Sequence, residues 1–166
     1  MVQVQLMTAF TSYLLDDRHN IRDQEAGRVI GNLGTTSDIF AVITGLFLGS
    51  LMDLVGRKLP SVAGLLISGT GTLLNPVPSN LLGLYFCRVM VNIGALPFLW
   101  SPYQVDYIKP KSLGLLSSYM TVVAHLCTIN ASVVAVQIEI WFGCVYVYAL
   151  YGSIVLIIAC ILCFGI

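Results

Sequence analysis

Few side chains in this sequence could do chemistry, and most of those stand in apolar surroundings. Arg88 lies inside the run Leu84-Tyr85-Phe86-Cys87-Arg88-Val89-Met90-Val91. A charge at such a place in hydrocarbon costs about 2.5–3.5 kcal/mol on insertion scales, so it must face a cavity or a partner. The structural alternative is an ion pair or a hydrogen bond within a helical bundle. His125 could titrate near neutral pH, although a lone histidine in a helix is more often a hydrogen-bonded packing residue. Asn92, Tyr119, Asn130 and Gln137 could line a polar route, and ordinary interhelical hydrogen bonds explain them equally well. Asp38 lies near the outer end of its run, where it can reach the membrane interface. A denser cluster is Gly49-Ser50-Leu51-Met52-Asp53-Leu54-Val55-Gly56-Arg57-Lys58, with three charges in its last six residues. No Ser/His/Asp grouping, metal-ligand pattern or phosphate loop is present, so neither an enzyme nor a cofactor or metal site is expected. The five cysteines fall within apolar runs and behave as small hydrophobes.

The elements that must position these residues are membrane helices. Apolar residues make up 57% of the chain and charged residues 10%, against about a quarter charged in a soluble domain. The excess apolar surface points to a lipid bilayer as the first partner. A net charge of zero argues against nucleic acid. A membrane helix needs about 20 mainly apolar residues, and five runs qualify or nearly so: 33–52, 59–77, 81–100, 113–136 and 141–166. Polar breaks at 53–58, 76–80, 101–112 and 137–140 separate them, and Pro76 and Pro78 mark the second as a turn. Residues 1–15 are apolar but too short for a full span. The expected fold is all-α: a multi-spanning membrane bundle of about five full transmembrane helices plus a partial N-terminal one. Residues 1–30 hold the partial helix and a charged loop, and 31–166 hold the five helices. Five glycines at 64, 69, 71, 83 and 94 predict close helix packing.

Orientation follows from the positive charges. Arg57 and Lys58 occupy the first break, and Lys109 and Lys111 the third, while the breaks at 76–80 and 137–140 carry no Lys or Arg. The positive-inside rule puts the first and third breaks in the cytoplasm. The charged stretch 16–28 then lies on the opposite side, and the last residues on the cytoplasmic side. Trp100, Tyr103, Tyr107 and Trp141 sit at run ends, as interface anchors do.

Physically, residues 49–58 make a tight cytoplasmic hairpin. Gly49 would give close helix contact, Gly56 can take positive φ and end the helix, and Asp53 lies near Arg57 and Lys58 at the membrane boundary. The order Gly49, Leu51, Asp53, Gly56, Arg57, Lys58 resembles the signature loop of the major facilitator superfamily, Gly-x-Leu-x-Asp-x-x-Gly-Arg-Lys, which joins the second and third helices of those secondary transporters. Leu54 stands where a basic residue is usual. Leu84-Tyr85-Phe86-Cys87-Arg88, with Gly94 six residues on, is similar to the family's fourth-helix motif, Asn92 replacing its earlier glycine. The fifth-helix glycine–proline motif of the drug/proton antiporters is missing between residues 117 and 136.

The resemblance covers residues 31–166 and implies helices two to six of a six-helix half. It implies movement of a small-molecule solute by alternating access, with Arg88 in substrate binding or proton coupling. Residues 49–58 would serve as a gate that closes against the other half. That other half would be a missing C-terminal half or a second copy of the chain. The alternative is a non-transporting membrane scaffold or subunit, or an inactive truncated transporter.

Overall fold

The computed structural model describes residues 10–11, 13–15, 23–99 and 112–164. Among these residues every regular element is helical, and there is no strand. The helices are α1 (Asp23–Val55), α2 (Lys58–Leu74), α3 (Leu81–Leu99), α4 (Leu113–Phe142) and α5 (Cys144–Phe164). Phe10, Thr11 and Tyr13–Leu15 are also helical. The anchors Trp100, Tyr103 and Tyr107, the lysines 109 and 111, and the charges at 16–18 and 22 lie outside the described residues.

Three segments are long and apolar enough to cross a membrane: Glu25–Val55, Ser117–Phe142 and Cys144–Phe164. Their outward side chains fit that medium. Leu46, Phe47, Trp141 and Phe164 are each more than 70% exposed, a pattern water would penalise and acyl chains would not. α2 and α3 are shorter, at 17 and 19 residues.

α2 is the hub. It packs along α3 on one side and α5 on another, while α1 leans mainly on α3 and α4 mainly on α5. The buried positions of α2 are Pro60, Ser61, Gly64, Ser68, Gly69, Gly71 and Thr72. Lipid is as apolar as leucine, so membrane helices gain little by hiding apolar surface from it and gain most by close backbone approach. A Cβ at Gly64 would sit 2.7 Å from the Gly94 carbonyl oxygen and 2.9 Å from Pro97 Cγ. At Gly152 of α5 it would sit 2.6 Å from Leu73 Cγ. Two hydroxyls on this surface are tied back to the same segment of chain, Ser61 Oγ to the Arg57 carbonyl and Thr72 Oγ1 to the Ser68 carbonyl, each at 2.8 Å. They present a satisfied surface to the neighbours. A second core gathers Leu14, Leu15, Leu84, Val91, Ala135 and Val147, joining the N-terminal turn to α3, α4 and α5.

The structure shifts several expected boundaries. α1 starts at Asp23, ten residues before the expected start at 33, and runs through residue 30. At 1.5 Å per residue its 33 residues span about 50 Å, well beyond the roughly 30 Å of bilayer hydrocarbon. Asp38 therefore lies near the middle of α1, not near its end. The break expected at 137–140 lies inside α4, and the chain turns instead at Gly143, with φ +91° and its N–H donating to the Glu139 carbonyl (2.8 Å). Gln and Glu are good helix formers, so a polar run does not end a helix, whereas a glycine in the left-handed region does. The turn at Pro76 and Pro78 is present, and Asn80 caps α3 by accepting the Gly83 N–H at 3.0 Å. Four of the five expected packing glycines make interhelical contacts, and Gly83 packs on this turn instead. Gly49 is exposed, with nothing within 4 Å of a Cβ placed there. It makes no close helix contact among the described residues.

Gly64→Val should destabilise the bundle by about 1–3 kcal/mol, as overpacking does. Thermal unfolding in detergent micelles should show a clear fall in Tm. Gly45→Ala, on the open face of α1, should leave Tm unchanged or raise it.

Candidate functional site

Arg88 and Asn92 are four residues apart, so they share one face of α3. Both are buried near its middle, at 7% and 8% exposure. That face meets α1 at Ser37 and Asp38. Asn92 Nδ2 donates to Ser37 Oγ at 2.7 Å and, more weakly, to Asp38 Oδ1 at 3.4 Å. Ser37 passes its own proton to the Gly34 carbonyl at 2.9 Å. Ser37 is fully enclosed, while Asp38 stays on the exposed side of α1. The Arg88 guanidinium lies within electrostatic reach of Asp38 and of Tyr148 on α5. Tyr148 is itself buried, beside Thr11, Cys144 and Arg88.

One polar cluster therefore lies where α1, α3 and α5 meet, with Asn92 bonded to α1 and Arg88 within electrostatic reach of Asp38 and Tyr148. Its electrostatics are simple. A guanidinium that is always protonated lies buried beside one phenol, with one carboxylate on the exposed side of the cluster. Arg88 thus has polar neighbours on two other helices. Such a cation can hold a carboxylate, a phosphate or another anionic group, because its planar fork accepts a bidentate partner.

The structure brings two of the four sequence candidates together. Tyr119 is 61% exposed on α4 and His125 is exposed on the same helix. Six residues apart, they project about 120° from each other at 100° per residue, so they do not share a face. Neither belongs to the Arg88 cluster. Sequence reasoning missed Ser37 and Tyr148. The adjacent polar pair Ser37-Asp38 inside an apolar run was the available signal for the first. For Tyr148 there was none, since Tyr146 and Tyr148 alternate and only the fold shows that Tyr148 turns inward while Tyr146 is 60% exposed.

The hairpin at 49–58 is tight. α1 ends at Val55, α2 begins at Lys58, and Gly56 links them at φ +84°. Arg57 caps α2, its carbonyl accepting from Ser61 N (3.3 Å) and Ser61 Oγ (2.8 Å). Asp53 and Lys58 are exposed, Arg57 is half-buried, and Leu51 is 47% exposed. Among the described residues no group of three or more His, Cys, Asp or Glu side chains is placed to hold a metal ion. Comparison with protein-family models, with characterised proteins and with solved structures found no match for this chain.

Asn92→Ala and Ser37→Ala should be non-additive in stability. A double-mutant cycle of unfolding in micelles should give a coupling of about 0.6–1.7 kcal/mol, the range for interhelical polar contacts in membranes. Additive losses would mean that the 2.7 Å contact contributes nothing.

Proposed function

We propose that the chain moves a small solute across a membrane by alternating access, as one half of a transporter of the major facilitator type. The observation that carries this reading is one buried cation on α3, clustered with polar groups of α1 and α5, in a chain that also has the Gly49–Lys58 hairpin. The two features divide the work. The Arg88 cluster supplies a charge at mid-depth where a solute or a coupling proton can exchange with Asp38 as its counter-group. The hairpin supplies a short, charged link on the cytoplasmic side, and its only positive-φ residue is a glycine. Alternating access needs two rigid units rocking about such a site. No bond in the solute is made or broken.

The bundle supports one of those units. α2, α3 and α5 interlock through glycine contacts, which suits a body that moves as a whole. The face carrying Asp38 and the gate residues is exposed, which suits the side on which a second unit closes. An arginine at this site favours a solute that carries an anionic group.

The test compares cells expressing the chain with cells expressing Arg88→Ala or Arg88→Lys. Each should be present in the membrane fraction in equal amount. Broad mass-spectrometric profiling of small solutes inside and outside should show at least one gradient that the wild type changes and Arg88→Ala does not, with partial retention in Arg88→Lys. Identical profiles for wild type, variant and empty cells would sink transport and leave the non-transporting subunit as the better reading.

A further inference from the structure

Phe10, Thr11, Leu14 and Leu15 form one face of a helical turn, and they are among the most buried side chains of the protein, at 3%, 5%, 1% and 0% exposure. Tyr13 lies on the other side of the turn and is 56% exposed. The buried face belongs to one cluster with Ala26 of α1, Leu84 of α3, Ala135 of α4, and Cys144, Val147 and Tyr148 of α5. Leu84 and Cys144 stand in the first turns of their helices. The turn therefore sits at the end of the bundle where α3 and α5 begin. The Arg88 cluster lies just deeper. At 1.5 Å per residue, Arg88 is about 6 Å further along α3 than Leu84, and Tyr148 about 6 Å further along α5 than Cys144. Thr11 lies beside Tyr148, and Tyr148 within electrostatic reach of Arg88.

What holds this turn differs from what holds the rest. α2, α3 and α5 are locked by glycines at 64, 69, 71, 94 and 152, where a Cβ would strike a neighbouring helix. None of those contacts includes the turn, and residues 10–15 contain no glycine. Its attachments are apolar packing, the approach of Thr11 to Tyr148, and one bond, Cys144 Sγ donating to the Phe10 carbonyl at 3.8 Å. A thiol is a weak donor. Lipid is as apolar as leucine, so apolar packing inside the bundle gains little over packing against acyl chains. Phe10, Leu14 and Leu15 can exchange the bundle for lipid at small cost. The glycine-locked helices have no such exchange, since lipid cannot reproduce a backbone contact.

We propose that the turn of Phe10, Thr11 and Tyr13–Leu15 is a lid on the Arg88 cluster. Docked, it closes the end of the bundle where α3 and α5 begin. Undocked, it opens a path from that end to Tyr148 and Arg88 while the glycine-locked helices stay in place. The inference rests on the transport reading for what passes beneath the lid. The motion itself is read without any solute, so this test and the uptake test fail separately.

Two buried cysteines report it. Cys144 lies under the turn, and Cys87 lies on the part of α3 that packs against Gly71. The full chain, with Cys127, Cys160 and Cys163 replaced by serine, is placed in lipid nanodiscs, where both membrane faces meet water. It is treated with a water-soluble maleimide well below Tm, and each rate is divided by that of the same cysteine in SDS-unfolded chain. Cys144 should react at least about tenfold faster than Cys87, because local opening needs less free energy than global unfolding. Phe10→Ala with Leu14→Ala should speed Cys144 by about a further tenfold and leave both the Cys87 rate and Tm unchanged. Equal rates for the two cysteines, no reaction at Cys144, or a Cys144 rate that the variant leaves unchanged would each overturn the lid. A variant in which Tm falls and both cysteines speed up together would do the same, because the turn would then be a fixed part of the core.

Discussion

The backbone contact between Gly64 of α2 and Gly94 of α3 is the constraint on which the rest of the bundle depends. Each glycine leaves no room for a side chain on the other, and Ser68 and Pro97 close around them. In water a helix of this composition would be held by hiding its apolar stripe. In lipid that force is almost gone, and what remains is contact between atoms and the few polar bonds that can be made. α2 answers with a buried surface of Gly, Ser and Thr on which the Ser61 and Thr72 hydroxyls are already bonded to carbonyls of the same segment. It can then sit between α3 and α5 with those two hydroxyls already satisfied.

The Arg88 cluster depends on that placement. α3 is fixed on α2 by Gly64, Gly71 and Gly94, and its other face is thereby turned to α1. There Asn92 meets Ser37, and one turn earlier Arg88 lies within electrostatic reach of Tyr148 and Asp38. A buried charged group is tolerable only where rigid neighbours keep its polar partners in place. The order of cause runs from small residues on one face of α3 to a buried cation on the other.

The sequence was most legible where residue type alone carries the physics. The all-helical class, the turn at Pro76 and Pro78, and the positive φ of Gly56 follow from hydropathy, proline and glycine chemistry, which act locally. It was least legible where orientation matters. Polar residues at 137–140 looked like a break, yet their propensity is helical, and the glycine at 143 takes that part. Tyr119 and His125 looked like companions of Arg88 because both are polar, but the helix carries them to an exposed surface away from α3. Tyr148 was invisible, because two tyrosines of like surroundings alternate and only packing chooses between them. Gly49 was expected to make a close helix contact, and none is made among the described residues.

Gly49 shows why exposure has to be read differently in this class of protein. In a soluble domain an exposed apolar patch signals a partner and an exposed polar one signals nothing. In lipid the weights reverse. Leu46, Phe47 and Ile129 are exposed, and acyl chains suffice to cover them. Exposed glycine, serine, histidine and aspartate are the residues that lipid does not repay. They give up helix propensity or hydration and gain nothing from a methylene neighbour. Where they recur every three or four residues along one side of a helix, another helix backbone is the surface that compensates them, since only close approach converts a missing side chain into contact energy. The five packed glycines of α2, α3 and α5 show this compensation at work inside the chain. The five of α1 find no such neighbour among the described residues, so that helix bears the propensity cost without the contact.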